Sequence, residues 1–195
     1  MIKKKIFIFG FGQVARYFVA SNSKKYKFFF TSTKKTHTKK FKQIKLKVFY
    51  FKNSNYDKKI EKVLKNSDFI IVTIPPKSFG DIVLKKFKLK LSKLKFKKLI
   101  YLSSTSVYGN HNGSWVHENS KLKPTVLIGK RRVQAEKQWK IFGKKYNLDI
   151  NILRIAGIYS KENNTLRKIK ISKKYVKEKK FFSRIRIEDL VRIIE

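Results

Sequence analysis

The sequence predicts an α/β domain built on a doubly wound parallel sheet, and three observations carry the prediction. Short apolar runs alternate with amphipathic stretches along the chain, the pattern of βαβ units. The runs are continuously apolar rather than alternating, as in strands buried on both faces of a parallel sheet. The first of them, Ile6 to Phe9, passes straight into GFGQVA, Gly10 to Ala15.

The expected strands are Lys5 to Phe9, Lys27 to Thr31, Lys47 to Phe51, Phe69 to Ile74, Leu99 to Ser103 and Asp149 to Arg154. Helices fit between them. Val14, Tyr17 and Phe18 give one an apolar face, Ile60, Val63 and Leu64 a second, and Ile82, Val83, Phe87, Leu91 and Leu94 a third. From Phe87 to Phe96 the apolar residues also alternate with lysine, so helix and strand compete there. Pro75 and Pro76 stop the fourth strand, because each lacks an N–H and restricts the residue before it. Gly109 to Ser114 is a loop, and Pro124 to Lys145, with Val133, Glu136, Trp139 and Phe142 at helical spacing, is the longest expected helix. The polar gap Lys161 to Thr165 separates a first region, 1–160, from a lysine-dense piece, 161–195.

Composition narrows the function classes. The chain has no cysteine, which excludes disulfides and thiolate metal sites, and His37, His111 and His117 show no ligand spacing, so no metal is expected. No apolar stretch reaches the roughly 18 residues of a membrane helix, and MIKKK runs into a strand without a cleavage site, so a cytoplasmic protein with no membrane partner is expected. Lys plus Arg number 50 against 12 Asp plus Glu, a net charge of +38. Such a lysine-rich chain attracts phosphate backbones in a salt-sensitive, incidental way. The lysines are spread from Lys3 to Lys180 rather than gathered in a patch, and alanine appears only four times, a pattern of drift toward A/T-rich codons.

The glycine segment carries the first chemistry. A strand that breaks into glycines and then a helix leaves backbone N–H groups at the helix start for a pyrophosphate. Gly10 permits the tight turn, Gly12 admits the diphosphate, and Ala15 lets the helix pack on the strand. A site selective for NAD places an acid near the end of the second strand; here Thr31, Ser32, Thr33 and Lys34 offer hydroxyls and a cation. They suit a 2′-phosphate, so NADP is expected ahead of NAD, with a plain polar turn as the other reading.

The fifth strand runs into YLSSTSVYGNHNGSWVHENS, Tyr101 to Ser120, followed by RRVQAEKQW, Arg131 to Trp139, LRIAGIYS, Leu153 to Ser160, and FSRIRIEDL, Phe182 to Leu190. In that order these segments resemble the extended and atypical short-chain dehydrogenase/reductases, the NAD(P)-dependent epimerase/dehydratase superfamily. The resemblance implies a Rossmann fold over 1–160 and, in 161–195, the start of a substrate-binding region that stops early at Glu195. It also implies a nucleotide sugar or similar small molecule as substrate. Gln13, Val14, Thr73, Ile74, Pro75, Ser103, Ala156 and Ile158 join Gly10, Gly12 and Thr31 to Lys34 as expected cofactor-binding residues.

In such enzymes a tyrosine exchanges the proton, a lysine four residues later lowers its pKa and holds the ribose, and a serine orients the substrate. Ser104 falls at the serine position, Arg132 at the lysine position and Ile128 at the tyrosine position. Isoleucine transfers no proton, and an arginine keeps its own. Ser104 and Arg132 are therefore the catalytic candidates, Tyr108 is the nearest alternative acid, and Lys130 replaces the cation if the register slips by two. Without the tyrosine, Ser104 reads equally as a strand-end hydroxyl satisfying backbone groups. The expected function is an NAD(P)-binding protein of sugar-nucleotide epimerase/dehydratase type with an impaired relay. Its alternatives are a non-catalytic dinucleotide sensor and a non-specific nucleic-acid binder.

Overall fold

The computed structural model describes residues 2–35, 38–41, 44–53, 55–164 and 181–195; His37, Thr165 and the rest of 165–180 lie outside the described residues. Strands β1 (Lys4–Phe9), β2 (Tyr26–Ser32), β3 (Thr38–Phe41), β4 (Ile44–Lys52), β5 (Asn55–Tyr56), β6 (Phe69–Val72), β7 (Lys98–Ser104) and β8 (Ile150–Ile155) form one sheet. Its order is β3-β4-β2-β1-β6-β7-β8, with β5 paired to β4. The central pairings, β4 with β2, β2 with β1, β1 with β6, β6 with β7 and β7 with β8, are all parallel. The doubly wound expectation holds. The chain winds outward from β1 in both directions, so the crevice between the β1 and β6 carboxyl ends is the switch point where such sheets take ligands.

Two helical layers cover the sheet because successive strand residues face opposite sides. Phe7 and Phe9 of β1 point into one core with Phe49, Phe51, Phe87, Trp139 and Phe142. That core lies under α2 (Lys59–Lys65), α3 (Ile82–Leu91) and α4 (Leu127–Tyr146). Ile6 and Ile8 point the other way, into a core shared with α1 (Gln13–Asn22) and α5 (Ile187–Ile194), which contribute Ala15, Phe18, Val19, Leu190 and Ile194. The last helix thus seals the same core that the first strand opens.

The structure corrects the sequence reading, or decides what it left open, at several places, the unexpected two-residue strand β5 among them. Strand β3 was not expected: it pairs antiparallel with β4 and reads TKKF, the lysine-bearing sequence of a sheet edge rather than of a buried strand. The fourth expected strand ends at Val72 instead of Ile74, although the Thr73 amide still donates to Phe9 O, because Pro75 turns the chain. The Phe87–Phe96 ambiguity resolves into helix as far as Leu91, with Leu94 and Phe96 reaching the core from a turn. The long helix starts at Leu127, not Pro124, since a bridge between Gly109 and Lys123 keeps the approach extended. Finally, β9 (Gly157–Tyr159) pairs in parallel with β10 (Arg184–Arg186), three-residue strands too short to show a period.

Candidate functional site

At the carboxyl end of β1 the backbone of Gly10 stands at φ +106°, a conformation open to glycine. A Cβ there would come within 2.4 Å of Thr73 Oγ1. Two threonines hold the turn. The Gly10 amide donates to Thr31 Oγ1 at 2.8 Å, and the Thr73 hydroxyl donates to Phe9 O at 2.9 Å. Thr31 is buried and its hydroxyl supports the glycine turn. Ser32 accepts from the Lys34 amide, leaving Thr33 and Lys34 exposed at the strand end.

Gly12 is different in kind. It caps α1 at φ −80° and ψ −168°, and among the described residues no side chain satisfies the helix's first amides. A Cβ on Gly12 would meet nothing within 4 Å. Uncapped N–H groups beside an empty approach fit a pyrophosphate in both charge and space. Gln13 and Val14, in the first turn, are half-buried. Gln13 Nε2 donates to Ser160 Oγ at 3.3 Å and the Tyr17 hydroxyl to Glu162 Oε2 at 3.1 Å, tying the helix start to the segment after β9. Beside them Arg16, which the sequence reading passed over, lines a cavity of about 270 Å³.

Ile74 sits 3.4 Å from the position a Gly10 Cβ would take, and Pro75 is exposed just beyond. Ala156 and Ile158 follow β8, with Ile158 packed against the α1 side of the core. Ser103 is not at the surface. Its hydroxyl donates at 2.6 Å to the buried carboxylate of Glu136, which Arg154 grips through Nε and Nη2. Arg154 Nη1 also donates to the Tyr108 hydroxyl and to Glu118 O. The Glu136 carboxylate holds the guanidinium above its ordinary pKa. Tyr108 is therefore buried in a brace that fixes the loop after β7.

The expected catalytic positions lie around the end of β7. Ser104 Oγ accepts from the Ser106 amide at 3.2 Å and caps the 3-10 turn Thr105–Val107. Gly129 lets α4 approach, since a Cβ there would lie 2.4 Å from Ser106 O. Beside it Ile128 is 65% exposed, in an apolar first turn with Val126 and Leu127. Lys130 is exposed as well.

Arg132 turns inward and donates through Nη1 to Leu102 O. Its Nε, Asp81 Oδ2, the Tyr101 hydroxyl and Trp139 Nε1 are buried together, Trp139 facing Asp81 and Arg132 facing Tyr101. Burial pushes the Asp81 carboxyl up to about 6, against the Leu84 amide and the Arg132 charge; burial first, and then the Asp81 charge, raise the Tyr101 phenol. Asp81 and Tyr101 were not singled out in the sequence, although Gly80-Asp81 before Ile82-Val83-Leu84 is a legible helix cap, and Asp81 Oδ1 does accept from Leu84 N at 2.8 Å.

A carboxyl whose folded pKa lies above its unfolded value of about 3.9 binds its proton preferentially in the native state. Its contribution is complete below about pH 4 and is lost as the pH rises through about 6. Denaturant unfolding should show stability falling by roughly 2–3 kcal/mol across that window, and Asp81→Asn should flatten the fall. An unchanged slope in the variant would assign the titration elsewhere.

The family model for the NAD dependent epimerase/dehydratase family matches residues 89–181. No curated protein matches the chain in sequence. Among solved structures, a functionally unknown conserved protein from Silicibacter pomeroyi DSS is 26% identical with a TM-score of 0.79, the alignment covering 98% of this chain and 67% of that one. UDP-glucuronic acid 4-epimerase from Bacillus cereus, in complex with UDP-glucuronic acid and NAD, has a TM-score of 0.76 at 18% identity over 96% of this chain and 71% of its own. UDP-N-acetylglucosamine 4-epimerase from Methanobrevibacter ruminantium M1 has a TM-score of 0.75 at 18% identity, covering 98% and 72%. The glycine turn, the motif order and the sheet topology agree with that family match, which spans just under half of the chain, and with the fold of these solved structures.

Proposed function

We propose that this chain binds NAD(P) along its glycine loop, in a protein of sugar-nucleotide epimerase/dehydratase type whose tyrosine-centred proton relay is missing. The observation that carries the reading is Gly12, an uncapped helix start with open space where a side chain would project. Gly10, Gly12, Gln13 and Val14 would hold the pyrophosphate, and Ser32, Thr33 and Lys34, with no acid among them, favour NADP over NAD. When bound, the dinucleotide supplies hydride exchange at its nicotinamide C4. A nucleotide sugar as substrate and a cytoplasmic site of action belong to the same proposal.

What the chain's own residues contribute favours binding over turnover. Ile128 offers no proton, Ser104 is engaged by the Ser106 amide, and Arg132 is committed to Leu102 O beside Asp81 and Tyr101. The non-catalytic reading rests on that inward arginine. Titration of NADPH and NADH against intrinsic fluorescence, with Trp115 exposed and Trp139 buried, should give saturable binding competed by the oxidised form. The absence of saturation with either would overturn the proposal. Retention on DNA, if seen, should disappear at moderate salt without sequence preference, as expected of charge alone.

A further inference from the structure

A second cavity, of about 310 Å³, opens between the turn after β6, the start of α3 and the first half of α4. None of its lining residues belongs to the glycine loop or to the end of β2. Its scaffold is rigid. Lys77 and Gly80 exchange backbone hydrogen bonds across a tight turn, and Gln138 of α4 fixes that turn from behind by donating to Phe79 O and accepting from the Asp81 amide. Gly80 has φ +101°, and a Cβ there would strike the Gln138 side-chain amide at 2.1 Å.

Four cations converge on this cavity: Lys77 from the turn, Lys85 and Lys86 from α3, and Arg131 from α4. No carboxylate lines it, and among the described residues none of the four forms a salt bridge. Lys85 is fixed over the Phe79 ring at 4.1 Å. Lysines are common everywhere in this chain, so the discriminating feature is Arg131: its Nε is shielded from solvent and has no hydrogen-bond partner. Unpaired cations in a cleft focus positive potential, and an anion with several acceptor oxygens neutralises it.

We propose that this cavity binds a phosphoryl group, supplied as free phosphate or pyrophosphate or as a small phosphate ester. The arginine fork presents paired donors to phosphate oxygens, and the lysines add point charges around it. The site is independent of the dinucleotide reading.

The test is calorimetric titration with inorganic pyrophosphate and, in a parallel arm, adenosine monophosphate, with chloride balancing the ionic strength. All titrations use the Gly12→Val background, whose glycine loop no longer admits a diphosphate, so that the saturable binding expected there reports this cavity alone. Lys86→Gln with Arg131→Gln should weaken binding at least tenfold, whereas the charge-matched pair Lys140→Gln with Lys144→Gln, both exposed on α4, should leave it unchanged. If the Arg131 pair fails to fold, Lys77→Gln with Lys86→Gln serves in its place. Tighter binding of the ester than of pyrophosphate names the ester as the occupant, and the reverse names the free anion. Equal weakening by the pocket and control pairs, or no saturation above the chloride background, would overturn the site.

Discussion

Gly12→Val should abolish NADPH and NADH binding, by at least a thousandfold or about 4 kcal/mol, while costing the fold no more than about 1 kcal/mol. The asymmetry follows from geometry. The residue's φ of −80° accepts any side chain, and its Cβ meets no atom within 4 Å, so the isolated protein has room for valine. The space valine fills is the space a diphosphate needs to reach the first amides of α1. Gly10→Ala should do the reverse, straining a φ of +106° and driving a methyl into Thr73 Oγ1, so that binding is lost through loss of structure. Fluorescence titration and urea unfolding on the same two variants check both halves. Retained binding in folded Gly12→Val would place the cofactor elsewhere or remove it altogether.

The contrast between the two glycines shows what was legible in the sequence. The glycine spacing and the apolar runs specify the turn and a parallel sheet, because these depend on backbone conformation and on burial of both sheet faces. Side-chain commitments were less legible. Thr31 reads as a phosphate-facing hydroxyl by position, yet the residue it supports is Gly10, at the end of the adjacent strand. Ser103 and Ser104 are neighbours on one strand that face opposite sides: one serves a buried carboxylate, the other a backbone amide. Arg132 occupies the place of an outward cation but is drawn in toward Leu102 O beside Asp81, an attraction that exists only once α3 and α4 have packed on β7. The edge strand β3 escaped notice because its lysines meet the demands of an exposed edge, not those of a core.

Arg154→Met should destabilise the protein by about 3–5 kcal/mol, the cost of stranding a buried carboxylate. Glu136 is 2% exposed and Arg154 11%, so neither charge has much water to fall back on. The arginine spans the site's supports: from β8 it holds Glu136 on α4, and through Glu136 the Ser103 hydroxyl on β7, while its other nitrogen fixes Tyr108 and Glu118 O in the loop between them. Removing it leaves Glu136, among the described residues, with the Ser103 hydroxyl as its side-chain donor. Adding Glu136→Gln to Arg154→Met should recover a large part of the loss, because a neutral amide needs no counter-ion and still accepts from Ser103. Urea unfolding of the two single variants and the double variant measures the coupling. A loss below about 1 kcal/mol, or strict additivity, would mean the brace is solvent-compensated. Strong coupling would make Arg154 the post on which the loop after β7, and with it the expected substrate side of the crevice, is set.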